Sequence, residues 1–308
     1  MLPYVDGPAL FGLVPFADAV TAVARALSGG LRPQASLQRS IHDVEYGQLL
    51  LMPAETAAAV GVKLSTVAPG NPGSGVPRVQ ALYVLYDRVT LTPVALLDGT
   101  ALTTLRTPAV SAVAVDHLAA PDARRLVVLG SGPQAWGHVQ ALRTIRPVED
   151  VTVVGRDRGR AEALVARVRN SGLSARVGSH DDVAHAHLVV CATTARRPLF
   201  DGRRLRPGAC VVAVGSHEAD ARELDDATIG RAERVVVESR GVAMREAGDI
   251  IQAVRAGVVR EEDLVDLDEA VRLAPAAGSS VFKSVGMGWQ DLVVADLAYR
   301  RWAERVRV

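Results

Sequence analysis

The sequence predicts an α/β protein in two parts: a doubly wound parallel sheet in the middle and end of the chain, preceded by a mixed sheet. Three observations lead there. From about Arg124 onward, short apolar runs alternate with helix-like segments: RLVVLG, QAWGHVQALRTI, VTVVG, RAEALVARVRN, HLVVCAT, CVVAVG and RVVVES. Short β-branched runs flanked by glycine read as buried parallel strands, and the segments between them as crossover helices. The first 115 residues instead place strand-like runs in succession without helices between them, which argues for an antiparallel or mixed sheet. At 308 residues and 49% hydrophobic, the chain is long enough for two such cores.

Taken in order, a helix is expected around Ala17 to Leu27. Strands follow in QASLQRSIHDV, QLLLMPA, VGVKLSTVA, VQALYVLYD and TPVALLDG, punctuated by turn signals such as APGNPGSGVP. A long helix from Thr104 to Leu118 leads into the alternating region. QDLVVADLAYRRWAERV has apolar residues at helical spacing and is expected to pack back on the first part. The expected boundaries are 1–115, joined by 282–308, and 116–281.

Lys and Arg number 35 against 34 Asp and Glu, for a formal net charge of +1. So balanced a chain has no global field for nucleic acid or an anionic membrane, and an anionic partner must meet a local site. Only Lys63 and Lys283 are lysines, so 35 minus 2 leaves 33 arginines. Exposed cations are nearly interchangeable and buried or reactive ones are not, which makes two retained ammonium groups worth locating. Cys191 and Cys210 each sit in an apolar run and read as small buried hydrophobes in a reducing compartment. The opening MLPYVDGPALFGLVPF lacks the marks of a secretory leader. No stretch approaches the roughly 18 to 20 apolar residues of a membrane helix, and the expected location is cytoplasmic. His185 and His187 lead into a strand without carboxylates or thiols at ligand spacing, and no metal is expected.

LVVLGSGPQAWGHVQAL places Gly130 and Gly132 directly after a strand, with Pro133, Gln134 and Ala135 opening a helix. The first glycine permits a tight turn, the second lets backbone approach a pyrophosphate, and the small Ala135 lets the helix pack on its strand. The phosphate then rests on helix N-terminal N–H groups. This is a Rossmann-type dinucleotide site. The second strand, VTVVG, ends in Arg156, Asp157 and Arg158. An acidic residue ending that strand binds the ribose 2′-hydroxyl of NAD, whereas arginine accommodates a 2′-phosphate. Asp157 follows the strand-end position, so the expected cofactor is NADP(H), with NAD(H) the alternative. Arg156 is the main contact, and Arg158 or Arg160 assists.

The run GVKLSTVAPGNPGSGVPRVQALYVLYD, then PVALLDGTALTTLRTPAVSAVAVDHLA and GSGPQA, resembles the ornithine cyclodeaminase and mu-crystallin family. CATTARRPLF, AVGSHEADARELD, EAGDIIQAVRAG and SSVFKSVGMGWQDLVVADLAY continue that resemblance in order across nearly the whole chain. It implies a homodimer whose N-terminal part, joined by the last helix, forms the dimer interface and much of the substrate pocket, with a nicotinamide cofactor bound centrally. Members include cyclodeaminases that recycle the hydride of bound NAD, reductases and dehydrogenases of imino or keto acids, and mu-crystallin, which binds thyroid hormone.

The resemblance implies that Lys63, in GVK, is the active-site lysine, and that Arg106, in LRTPA, and Arg39, in LQRSI, hold a substrate α-carboxylate. A guanidinium fork suits that task because it meets both oxygens. Thr193, Val214 and Gly215, in the CATT and AVGS segments, complete the expected cofactor set with Lys283 and Asp291. Lys283 is expected to support by packing or hydrogen bonding; Asp291 either orients the nicotinamide or caps the last helix. Where the family's cyclodeaminases carry an aspartate that engages the substrate amine, this chain has His217, and Leu50 replaces a glutamate. An imidazole exchanges protons near neutral pH but does not neutralise an ammonium as a carboxylate does. The expectation is therefore an NADPH-dependent reductase of a ketimine or imino acid, such as pyrroline-2-carboxylate, with Lys63 or His217 managing the proton. Ornithine cyclodeamination with recycled NAD, and mu-crystallin-like ligand binding, are the alternatives.

Overall fold

The computed structural model describes residues 2–306 and divides into two compact units, Met1–Thr107 with Met287–Val308, and Pro108–Gly286. In chain order the elements are β1 (Tyr4–Val5), α1 (Gly7–Leu13), α2 (Phe16–Ser28), β2 (Ser40–Val44), β3 (Gly47–Glu55), β4 (Ala59–Val67), β5 (Val79–Asp87), β6 (Pro93–Asp98) and α3 (Gly99–Leu118). Then come β7 (Arg125–Leu129), α4 (Pro133–Leu142), β8 (Asp150–Val154), α5 (Arg158–Asn170), β9 (Ser174–Val177), β10 (Leu188–Cys191), β11 (Cys210–Ala213), α6 (Asp226–Gly230) and β12 (Arg234–Val237). The chain finishes with α7 (Arg240–Glu246), α8 (Gly248–Arg255), β13 (Val265–Asp266), α9 (Leu267–Ala270), β14 (Ser280–Lys283) and α10 (Gly288–Val306).

The first unit is a six-stranded sheet in the order β1-β6-β5-β4-β3-β2, antiparallel throughout except where β1 runs parallel to β6. Strict alternation assigns its two faces, because successive side chains of a strand point to opposite sides. Leu50, Met52 and Ala54 of β3, Lys63 of β4, Tyr83 and Leu85 of β5, and Leu97 of β6 are all buried on one face. Helix α10 packs on β3, β4 and β5 and also against α2. Of QASLQRSIHDV, only Ser40–Val44 is a strand, and a 3-10 turn at Pro33–Ala35 precedes it. The helix expected from Thr104 begins at Gly99, because the Asp98 carboxylate accepts the N–H groups of Thr100 and Ala101 at 2.9 Å each and so caps its first turn.

The second unit is an eight-stranded, wholly parallel sheet in the order β13-β12-β14-β11-β10-β7-β8-β9. Chain order reverses between β7 and β10, the switch point at which open α/β sheets bind ligands beyond the carboxyl ends of their strands. Every residue of β10, β11 and β14 is buried, as a sheet covered on both faces requires. β14, like β9 and β13, is a strand that sequence reading missed: SVFK is four residues long, and it inserts between β11 and β12 rather than following its neighbours in the chain. Helix α3 ends where Arg146 donates to the carbonyls of Val115, Asp116 and Ala119 at 2.7–3.3 Å, satisfying last-turn acceptors. Cys191 and Cys210 are free and buried on neighbouring strands. Burial pushes their thiols up, that of Cys210 to about 11.

Among the described residues, no single helix is long and apolar enough to cross a membrane.

Candidate active site

The first unit gathers cations around one carboxylate. Lys63 sits mid-strand on the buried face of β4, so its side chain rises toward α10, and only 2% of its surface is exposed. Asp291, in the first turn of α10, is fully buried and meets it there. Its two oxygens lie 3.0 and 2.8 Å from Lys63 Nζ, and Oδ1 also accepts from Arg106 Nε at 3.1 Å. Arg106, on α3, extends Nη1 to the side-chain carbonyl of Gln290 at 2.6 Å, and Lys63 Nζ donates to Thr103 Oγ1 at 3.1 Å. Burial lowers the Lys63 ammonium to about 8. Asp291 pulls against that fall, while the positive charges of Arg106 and Arg39 add to it. Lys63 and Arg106 thus share one carboxylate, Arg39 adds its charge nearby, and the excess is positive. Such a site attracts an anion, and two guanidinium forks fit a carboxylate.

The walls beside the cations are apolar. Met52 pairs directly with Lys63 across β3 and β4, and Leu50 lies two residues along on the same buried face. Both oxygens of Asp291 are engaged, by Lys63 and Arg106. The residues that sequence reasoning missed are Thr103 and Gln290. Gln290 sits beside Asp291 in the quoted QDL run, which was the only available signal.

The second unit carries the glycine loop. β7 feeds directly into it. Gly130 adopts φ +128, and a Cβ there would lie 2.4 Å from the Ala192 carbonyl oxygen, so only glycine fits. A Cβ on Gly132 would meet nothing within 4 Å. Gly132 is the N-cap of α4, and no side chain caps that helix, so its first N–H groups face an open approach. Ala135 is fully buried, as close helix-to-strand packing requires. These features fit a pyrophosphate resting on a helix N-terminus, with Pro133 and Gln134 in the first turn. Beneath the loop, the buried His138 lies 2.8 Å from the Gln134 carbonyl and 2.9 Å from Ser111 Oγ, and burial lowers its imidazole to about 4, so it is neutral.

At the end of β8, Asp157 caps α5 by accepting the Arg160 N–H at 3.0 Å. Arg160 pairs with Asp157 at 3.7 Å and Arg158 with Glu162 at 2.9 Å. Arg156 is exposed, and its hydrogen bond to Thr194 Oγ1 is long at 3.5 Å. Thr193 follows β10, and Val214 and Gly215 follow β11, all at the carboxyl ends of adjacent strands. His217 lies in the loop after β11, flanked by Glu218, which with Asp220 pairs with Arg196 at 2.5 Å each. It belongs to the second unit, whereas Lys63, Arg39 and Arg106 belong to the first. Lys283 is buried inside the second unit, with its ammonium 2.8 Å from both Asp249 and the Ser216 carbonyl. His187 accepts the N–H groups of Arg124 and Arg125 at the start of β7, and among the described residues no group of three or more His, Cys, Asp or Glu is arranged to hold a metal.

Residues 15–305 match the ornithine cyclodeaminase/mu-crystallin family. The chain belongs to that family. Among family members, it is 35% identical over 272 residues to a Delta(1)-pyrroline-2-carboxylate reductase of Bacillus cereus, covering 85% of this chain and 83% of that one. It is 34% identical over 261 residues to the ketimine reductase mu-crystallin of Rattus norvegicus, covering 83% and 81%. A family structure, Thermococcus litoralis Delta(1)-pyrroline-2-carboxylate reductase in complex with NADH and L-proline, superposes with a TM-score of 0.93 at 30% identity, covering 99% of this chain and 98% of that one.

Proposed function

We propose that this protein is an NADPH-dependent reductase of cyclic imino acids, with Delta(1)-pyrroline-2-carboxylate as the representative substrate, acting as a homodimer. The observation that carries the reading is the buried pairing of Lys63 and Arg106 with Asp291, with the charge of Arg39 felt at Lys63 and with Leu50 and Met52 as walls. It suits a small anion with an apolar body. A substrate with a second, cationic amine finds an apolar wall where it needs an acid. The names of the relatives, two kinds of imine reductase, point the same way.

In this reading the reaction joins a hydride to the imine carbon and a proton to the imine nitrogen, converting C=N to CH–NH. The dinucleotide, when bound, supplies the hydride. Arg106 and Arg39 hold the carboxylate and so fix the ring. Gln290 and Asp291 hold the Arg106 guanidinium in turn. Lys63, protonated below about 8, delivers the proton to the nitrogen and is positioned by Asp291 and Thr103. Gly130, Gly132 and the first turn of α4 hold the pyrophosphate. Arg156, the least committed of the basic side chains after β8, meets the 2′-phosphate, since Asp157 is engaged in capping α5. For the dimer, the support is the second face of the first unit's sheet. There Leu51, Val62, Leu64, Leu82, Val84 and Leu96 are only partly covered, and the edge strand β2 is exposed along its length.

The test follows NADPH absorbance with a panel of cyclic imines and of keto acids plus amines, while ammonia release from ornithine is measured in parallel. NADPH oxidation by cyclic imino acids is expected, and Arg106→Ala should abolish most of it while leaving NADPH binding near normal. Ammonia without net NADPH oxidation would establish cyclodeamination instead. NADPH binding with neither signal would make the protein a ligand binder.

A further inference from the structure

Three buried ionisable residues in the second unit have no place in that chemistry: Glu223, Asp249 and Lys283, each at most 1% exposed. They come from three separated stretches, RELD, AGDI and FKSV. Glu223 accepts three hydrogen bonds: its Oε1 takes the Thr193 N–H at 2.8 Å and the Thr193 hydroxyl at 2.7 Å, and its Oε2 takes the Gly215 N–H at 2.7 Å. One carboxylate therefore straps together the loops that leave β10 and β11. Asp249 Oδ1 in turn accepts the backbone N–H groups of Glu223 and Leu224 at 2.7 and 2.8 Å, fixing the segment that bears the strap. Asp249 Oδ2 pairs with Lys283 Nζ at 2.8 Å, and Lys283 donates to the Ser216 carbonyl at 2.8 Å, which closes the circuit on the loop after β11. The fit is tight: a Cβ on Gly215 would lie 2.1 Å from the Thr193 carbonyl oxygen and 2.5 Å from Glu223 Oε1.

Burying three charged groups is a poor way to add stability, because apolar residues of the same volume do so without the desolvation penalty. What the circuit provides is geometry. Both loops it holds lie at the carboxyl ends of β10 and β11, across the switch point from the glycine loop, and the Ala192 carbonyl already abuts Gly130. With the 2′-phosphate end of the dinucleotide at β8 and the pyrophosphate at the start of α4, the remaining half extends over β10 and β11. We infer that Glu223, Asp249 and Lys283 form a positioning network for the nicotinamide half of the dinucleotide, acting through Thr193 and Gly215–Ser216, an inference that rests on the dinucleotide reading above. None of the three charged groups reaches the ligand. Burial raises the Glu223 carboxyl, while Lys283 and its three donors pull it back toward the anion that the strap needs.

The experiment compares two kinds of ligand on the full-length protein. NADPH and NADH are titrated by nicotinamide fluorescence, and 2′-phospho-ADP-ribose and ADP-ribose, which lack the nicotinamide, by calorimetry. Glu223→Gln leaves one of the three donors facing an amide N–H₂. It should weaken the reduced dinucleotide by about tenfold, the worth of one charge-assisted hydrogen bond. Binding of the matching ADP-ribose should stay within about twofold. Glu223→Asp, which keeps the charge but shortens the reach, should fall between. Equal weakening of both ligands, or of neither, overturns the network. A wild-type protein that binds none of the four ligands refutes the dinucleotide reading itself, a result distinct from a wild type that binds and a Glu223→Gln protein that binds equally well.

Discussion

Replacing Asp291 by asparagine keeps the shape of the side chain and removes the carboxylate that touches Lys63. The lysine ammonium stands at about 8 because burial, Arg106 and Arg39 lower it while Asp291 holds it up. A hydrogen bond to a charged group is worth roughly 1.5–3 kcal/mol, and one pH unit corresponds to about 1.4 kcal/mol. Losing the carboxylate should therefore move the Lys63 titration down by about one to two pH units. The proton-donating form exists below the pKa, so the alkaline limb of kcat/KM should move from about 8 in the wild type to about 6–7 in Asp291→Asn. At about pH 7 the ammonium fraction then falls from roughly nine-tenths to between one-tenth and one-half, and activity should recover on acidification. The assay is the pH dependence of NADPH oxidation with a cyclic imino acid, with thermal melting alongside to show that the variant is folded. An alkaline limb at the same pH in both proteins, with kcat/KM merely scaled down, would refute the assignment of Lys63 as the proton donor set by Asp291.

Three further outcomes are expected. Arg156→Ala should raise the ratio of NADH to NADPH use, by about tenfold if one charged contact to the 2′-phosphate is lost; an unchanged ratio defeats that contact. His138 titrates at about 4 in the fold against 6.5 when free, so the unfolded chain takes up the proton first as pH falls. Stability should drop by about 2 kcal/mol between pH 7 and 5 beyond that of His138→Gln, measured by urea unfolding; parallel pH profiles would show the imidazole to be accessible. Sedimentation equilibrium should give a dimer, and Val62→Asp on the open face of β4 should shift it toward monomer; a wild-type monomer at micromolar concentration counts against the interface.

Sequence reading works where signals are local. β7, the glycine turn and α4 lie within one short stretch, and each step follows from its neighbours: a β-branched run, a residue that permits positive φ, a proline at the helix start. β14 was invisible for the opposite reason. Its four residues carry no period, and its strand character comes from pairing with β11 and β12, whose sequences lie far upstream. α1 was missed as well, although Asp6 caps it by accepting the Ala9 N–H, because GPALFGL is short and bounded by glycine and proline.

The same division runs through the site. The sequence by itself determined the α/β class, the dinucleotide loop and the importance of two lysines among 35 basic residues, since composition and short-range spacing carry those facts. Only the tertiary structure decided what the lysines touch. Lys63 and Asp291 are 228 residues apart in the chain and meet at 2.8 Å because β4 and α10 pack face to face. Lys283 joins Asp249 and, through it, Glu223 because β14, which ends in Lys283, lies between β12 and β11, the strands that Asp249 and Glu223 follow, in a sheet whose order is not the order of the chain. A buried charge acquires its role from its partners, and partners are a property of packing that no local pattern encodes.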